Sequence, residues 1–165
     1  ADVAIRMKEP SQADLIRRKL MSVHMRLYAT PEYLEAHGTP ERPEDLSDHR
    51  LICQNVTTTQ VSAGAKFVQE LLTYDIPSML TVNNYFGVLQ AVRSDLGIGV
   101  LPDYVIQDFP NIKRVLPDVE SSEVPVFLAY PEELRQSKRI AAFRDFVTEE
   151  IIAHRKSLKS AASTD

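Results

Sequence analysis

Two asparagines and two aromatic residues stand together at Asn83, Asn84, Tyr85 and Phe86, where a predicted strand gives way to a predicted helix. The start of a helix presents unpaired N–H groups and a partial positive charge, and an asparagine can cap it. Capping explains one asparagine, but it explains neither the second nor the aromatic pair in the first turn. The pattern leaves two interpretations open, a helix cap with core aromatics or one side of a ligand site.

The elements around this segment place it at an edge of a sheet. Apolar residues from Tyr85 to Leu96 recur at the spacing of one helix face, and Gly97 ends that helix. The buried strand predicted at 98–101 follows at once, so we expect a βαβ unit with the second strand beside the first. Ligands of open α/β sheets bind where the strands end, and there asparagine could hold a carboxylate or hydroxyl while the aromatics exclude water.

The other potentially reactive residues do not form a known catalytic or metal-binding motif. The sequence has no glycine-rich phosphate loop, no GxSxG elbow and no HExxH pair. Its four histidines are scattered, so we expect no metal site and no cofactor. The single cysteine, Cys53, lies in the apolar run LICQNV, which is typical of a buried, inert thiol. Nothing in the sequence favours an enzyme.

Composition narrows the class of protein. The 165 residues are 44% hydrophobic and 25% charged, which is typical of a soluble globular protein. A net charge of −4 argues against nucleic-acid binding by this chain itself, because such binding usually requires a basic face. No apolar run approaches the roughly 18 residues of a membrane span, so we expect no membrane association.

Strands and helices alternate along the chain, which predicts an α/β fold. Thr30, Pro31 and Gly38 are placed to cap, start and end one short helix. A long helix is predicted over 138–155, with an apolar stripe on one side and a frayed tail at 157–165. The stripe consists of Ile140, Phe143, Phe146, Val147 and Ile151.

The opening residues 2–6 already have the pattern of a strand, with no polar residues leading into it. A mature secreted protein usually has a few loose residues before its first element. We therefore expect a fragment of a longer protein rather than a chain left by signal-peptide cleavage.

Four segments, in order along the chain, resemble the C-terminal effector-binding domain of LysR-type transcriptional regulators. They are DVAIR at 2–6, LYATPEYLEAHGTPERPEDLSDHRLI at 27–52, VNNYFGVLQAVRSDLGIGVLPDYVI at 82–106 and PVFLAYPEELRQSKRIAAFRDFV at 125–147. The resemblance implies a cytoplasmic bacterial regulator with a two-lobed fold like that of type 2 periplasmic binding proteins. Residues 1–24 and 131–165 would form part of lobe one, which is incomplete here, and residues 25–130 would form lobe two.

The same resemblance implies the partners. A small effector, which we expect to be anionic, would bind between the lobes, and the parent protein would form a homodimer or tetramer. Promoter DNA would be bound by an N-terminal winged helix-turn-helix that this chain lacks, and RNA polymerase is a further expected partner. The alternative interpretation is a secreted solute-binding protein of the same fold.

The family's effector site is carried over by position. On one side it would comprise the end of the first strand, and on the other the helix entrance and the end of a later strand. These effector-binding residues are Arg6, Met7, Asn83, Asn84, Tyr85, Phe86, Pro102 and Asp103. In relatives a glycine often follows the arginine, whereas this chain reads MKEPSQ there.

Overall fold

A computed structural model describes residues 4–6, 15–55 and 63–163, with side chains described over 15–55 and 63–150. Met7 and most of the predicted loop at 57–65 lie outside the described residues. The strands are β1 (Ala4–Arg6), β2 (Leu15–Val23), β3 (Met25–Ala29), β4 (Arg50–Gln54), β5 (Ser78–Val82), β6 (Ile98–Pro102), β7 (Lys113–Glu120) and β8 (Val124–Pro131). The α-helices are α1 (Pro31–His37), α2 (Ala63–Leu72), α3 (Tyr85–Arg93) and α4 (Lys138–Ser163), and 3-10 turns occupy Pro43–Asp48, Asp103–Asp108 and Glu132–Leu134.

The chain divides into two compact units. Unit 1 comprises Ala1–Val23 and Pro125–Asp165, and unit 2 comprises His24–Val124. β8 pairs with β1, so it belongs almost entirely to unit 1. The sequence prediction counts residues 125–130 with lobe two, whereas they fall in unit 1 of this division. No signal in the apolar run of β8 reveals its pairing partner.

Unit 2 is built on a five-stranded sheet in the order β5-β4-β6-β3-β7. β4 is parallel to both β5 and β6, whereas β3 is antiparallel to β6 and β7. One core cluster lies under α3, where Val88 and Val92 are fully buried against Ile52 and Leu101. α3 is thus held on the sheet by its apolar face, as its periodicity predicts.

The expected neighbour of β6 was wrong. β6 pairs with β4, not with β5, so β4 lies between the two strands that α3 connects. An α-helix with its side chains is about 10 Å in diameter, and neighbouring strands are about 4.8 Å apart. One helix can therefore cover the inserted strand, and α3 packs on β4 as well as on β5 and β6.

A glycine allows the close approach of α3 to the sheet. A Cβ at Gly99, in β6, would overlap Cγ2 of Val92 and lie 3.2 Å from Cγ1 of Val88. Only a residue without a side chain leaves room for the two valines at this point. The position of α3, and of its N-terminus, depends on this contact.

Unit 1 contains a three-stranded sheet in the order β1-β8-β2. Ile140 of α4 is buried with Leu128 and Tyr130 of β8. The predicted helix is confirmed, but it continues to Ser163 instead of ending near residue 155. The predicted apolar stripe of α4 is only partly buried, because Phe143 and Phe146 are 40% and 60% exposed.

Candidate functional site

Three parallel strands of unit 2 end at the same edge of the sheet. β5, β4 and β6 end at Val82, Gln54 and Pro102 respectively. Since the carboxyl ends of parallel strands meet at one edge, the segments that follow them are neighbours there. β3 runs the opposite way and pairs its first residue, Met25, with Pro102, so β3 begins at this edge.

Asn84 caps the helix that enters at this edge. Its backbone is extended (φ −154°, ψ 167°), and its Oδ1 accepts a hydrogen bond of 2.8 Å from the N–H of Gly87. The amides of Tyr85 and Phe86 come before Gly87 in the helix, so the carbonyls of the helix itself cannot satisfy them. The cap interpretation is confirmed for Asn84, and two amides remain as donors at the helix entrance.

Asn83 is held by its backbone and leaves its side chain exposed. Its carbonyl accepts a 3.1 Å hydrogen bond from Nε2 of Gln54, and the N–H of Asn55 donates to the carbonyl of Val82 at 2.7 Å. These contacts continue the β4–β5 ladder beyond the strands and fix the loop that leads into α3. Sequence reasoning missed Gln54, although a polar pair after the apolar run LIC was a usable signal.

The two aromatic residues of the entrance have different environments. Phe86 is 69% exposed, which is unusual for a side chain of this size. Tyr85 packs against the core, and burial raises its pKa to about 12, with smaller contributions from Tyr104 and Cys53 nearby. Tyr85 is therefore a neutral phenol that supports the entrance, while Phe86 offers an apolar surface to solvent.

Pro102 and Asp103 are engaged within unit 2. Pro102 is buried at the end of β6. The N–H of Asp103 donates to the carbonyl of His24 at 2.9 Å, and its carboxylate lies 3.9 Å from both His24 Nδ1 and Arg26 Nη1. Asp103 thus fixes the start of β3, and its negative charge is offset by a cation.

Of the remaining predicted site residues, Arg6 belongs to unit 1, and Met7 lies outside the described residues. Arg6 is the last residue of β1 and lies opposite Phe127 of β8 in the antiparallel register. Within unit 2, the structure places Asn83, Asn84, Tyr85 and Phe86 consecutively after β5, and Pro102 and Asp103 at the end of β6. Cys53 is buried as expected, and burial raises the pKa of its thiol.

Two kinds of feature are absent from the described ranges 4–6, 15–55 and 63–163. There, no three or more histidine, cysteine or acidic side chains are placed to hold a metal ion. No helix in those ranges combines the length and the apolar character that crossing a bilayer requires.

Comparison with known sequences assigns the family. Residues 1–151 match the LysR substrate binding domain. The chain is similar to the probable HTH-type transcriptional regulator LtrA of Klebsiella pneumoniae, with 29% identity over 92% of this chain and 51% of the relative. It is also similar to the HTH-type transcriptional regulator CrgA of Neisseria meningitidis serogroup C, with 26% identity over 91% of this chain and 51% of the relative. The chain spans about half the length of these curated relatives.

Solved structures show the same fold. The regulatory domain of CrgA from Neisseria meningitidis superposes with a TM-score of 0.74 at 24% identity, over 90% of this chain and 74% of that one. The regulatory domain of AphB in Vibrio vulnificus gives a TM-score of 0.60 at 25% identity, over 90% and 75%. These regulatory domains have the two-lobed architecture of periplasmic binding proteins. The relatives are regulators and not secreted solute-binding proteins, which overturns the alternative interpretation. The chain belongs to the LysR-type transcriptional regulators, of which it is the effector-binding domain.

Proposed function

We propose that this domain senses a small anionic effector through the helix entrance at Asn83–Phe86, together with Arg6 and Met7 and the strand end at Pro102 and Asp103. The observation that carries the proposal is the entrance itself. Its cap uses the N–H of Gly87, so the amides of Tyr85 and Phe86 remain as donors beside an exposed phenyl ring. A carboxylate would meet oriented dipoles there, and an apolar body would meet Phe86.

The charged side chains at the edge of unit 2 do not themselves attract an anion, because they pair with one another. Two carboxylates and two guanidinium groups balance there: Asp103 lies 3.9 Å from Arg26, and Glu120 pairs with Arg26 at 2.9 Å and with Arg114 at 3.1 Å. The paired side chains therefore contribute little net charge. In the proposed site the positive contributions come from the N-terminus of α3 and from Arg6, which supplies a guanidinium able to bind a carboxylate through two hydrogen bonds.

The parent protein would be a cytoplasmic, non-enzymatic regulator. It would bind promoter DNA through an N-terminal winged helix-turn-helix, as a homodimer or tetramer that sets the spacing of the half-sites, and it would contact RNA polymerase. The support is that the curated relatives are named HTH-type regulators, and this chain spans about half of their length. The effector would act by binding one conformation of the domain more tightly than another.

The test begins with a thermal-shift screen of small carboxylates and aromatic acids against the 165-residue chain. Any compound that stabilises it is titrated by calorimetry against wild type, Arg6→Ala, Asn84→Ala and Asn84→Ser. Removing a charge-assisted hydrogen bond should weaken binding by roughly ten- to a hundredfold for Arg6→Ala. Asn84→Ala should also weaken binding, through the lost side-chain amide and the loosened entrance.

Asn84→Ser separates capping from contact, because serine keeps the cap but lacks the amide. Weaker binding in Asn84→Ser at unchanged stability supports a direct contact. If Asn84→Ser binds like wild type, Asn84 acts only as a cap. Unchanged affinity in both Arg6→Ala and Asn84→Ala would show that the effector binds elsewhere.

A further inference from the structure

The start of β3 lies where the chain passes from one compact unit to the other. The first passage is between Val23 and His24, and the return is between Val124 and Pro125. His24 alone separates β2 from β3. Any change in the arrangement of two units joined by two such connections must be absorbed by a few backbone torsions near them.

Two hydrogen bonds within unit 2, one between backbone groups and one to a side chain, tie these two connections together. The N–H of Ser121 donates to the carbonyl of Met25 at 3.0 Å, and the N–H of Met25 donates to Oγ of Ser121 at 2.9 Å. Ser121 Oγ in turn donates to the carbonyl of Ser122 at 2.7 Å. The residues just after the first passage are thus bonded to the residues just before the return.

Charged side chains adjoin these bonds, because Arg26 follows Met25 and Glu120 precedes Ser121 in the chain. Glu120 Oε2 accepts from Nε of Arg26 at 2.9 Å and from Nη2 of Arg114 at 3.1 Å. Arg26 also lies 3.9 Å from the carboxylate of Asp103, which faces His24 at the same distance. Partial burial raises the pKa of Glu120, but the hydrogen bond and charge of Arg26 outweigh it and hold that pKa below its ordinary value. We call Arg26, Arg114, Glu120 and Asp103 the β3 charge cluster.

We propose that the β3 charge cluster positions the two connections, so that Arg26 and Glu120 determine how freely the two units rearrange when the effector binds. Arg26 joins the start of β3 to the end of β6 through Asp103 and to the end of β7 through Glu120. The cluster thereby holds three strand ends in one arrangement. Arg26 and Glu120 are positioning residues, since their effect on the effector passes through the connections.

The inference deepens the proposed function, because it concerns the conformational response to the same effector. Its test needs no effector, so a negative result would leave the proposed site standing. Conversely, if the effector binds elsewhere, the measurements below still test the role of the β3 charge cluster.

Hydrogen exchange of the 165-residue chain tests the local effect of the cluster. In Arg26→Gln and in Glu120→Gln, we expect the amides of Met25 and Ser121 to exchange about 1.5- to fivefold faster, the range of one partly exposed ion pair. Amides in the middle of β4 and β6 should keep their wild-type rates. The matched control is Arg135→Gln, which removes the exposed pair with Glu132 in unit 1 and should leave all of these amides unchanged.

A second measurement distinguishes positioning from a general loss of stability. Fluorescent labels at Glu35→Cys in α1 and Glu149→Cys in α4, in a Cys53→Ala background, report one position in each unit. The single-molecule distance distribution should broaden in Arg26→Gln and Glu120→Gln and should match wild type in Arg135→Gln. An unchanged distribution, or exchange that rises equally throughout unit 2, would overturn the proposal.

Discussion

Replacing Gly99 by alanine should displace the helix that carries the candidate site. The new Cβ would overlap Cγ2 of Val92 and approach Cγ1 of Val88 to 3.2 Å. Both valines are fully buried, so neither can turn away into solvent. Overpacking of this kind costs about 1–3 kcal/mol, and we expect Gly99→Ala to lower the free energy of unfolding by that amount.

A double-mutant cycle with Val92→Ala shows whether the contact is the cause. Without the methyl groups of Val92 the overlap is gone, and only the milder 3.2 Å approach to Cγ1 of Val88 remains. Alanine also restricts the unfolded chain more than glycine does. Gly99→Ala should therefore become nearly neutral, or stabilising by up to about 1 kcal/mol, in the Val92→Ala background. Urea denaturation, with an unchanged m-value, gives the free energy of unfolding of wild type, the two single variants and the double variant. An equal cost of Gly99→Ala in both backgrounds would refute the account of how α3 is seated.

Two further predictions concern pH. His49 is buried and its Nδ1 lies 2.7 Å from the hydroxyl of Tyr33; burial, together with nearby His37, lowers its pKa although two aspartates oppose the shift. The unfolded chain then binds a proton more readily than the folded chain, so the free energy of unfolding should fall as the pH drops below about 6.5. In His49→Gln, the urea midpoint should change less between pH 7 and pH 5 than it does in wild type. For Tyr85, whose pKa rises from 10.0 to about 12 on folding, the unfolded chain ionises first. Wild type should accordingly lose about 2 kcal/mol more stability than Tyr85→Phe between pH 9 and pH 12, and equal losses would contradict the burial of that phenol.

Local signals in the sequence were enough to place the helix entrance. The periodicity from Tyr85 predicts α3, and Asn84 caps it as that residue type predicts. The residues Thr30 and Pro31 likewise start α1, where the Thr30 side chain accepts from the N–H of Tyr33. Such features depend on contacts between residues three or four apart, which a single sequence records directly.

Features that depend on distant pairing could not be predicted in the same way. The insertion of β4 between β5 and β6, and the pairing of β8 with β1, are choices among apolar strands of similar composition. In the β3 charge cluster Arg26 pairs with Glu120, which is 94 positions away, and no local spacing in the sequence predicts that ion pair. Phe143 and Phe146 continue an amphipathic stripe in the sequence, yet they are exposed in the structure. A stripe shows which face of a helix is apolar, but not what covers it.

The assignment of effector-binding residues stays a prediction, and the amides of Tyr85 and Phe86 test it most directly. Amide ¹H–¹⁵N spectra of the chain would be recorded while it is titrated with the carboxylates that raise its melting temperature. If these amides donate to a bound carboxylate, their resonances should move furthest and saturate together with the calorimetric isotherm. Saturable binding that leaves both resonances in place, with the largest shifts away from the entrance of α3, would contradict the account.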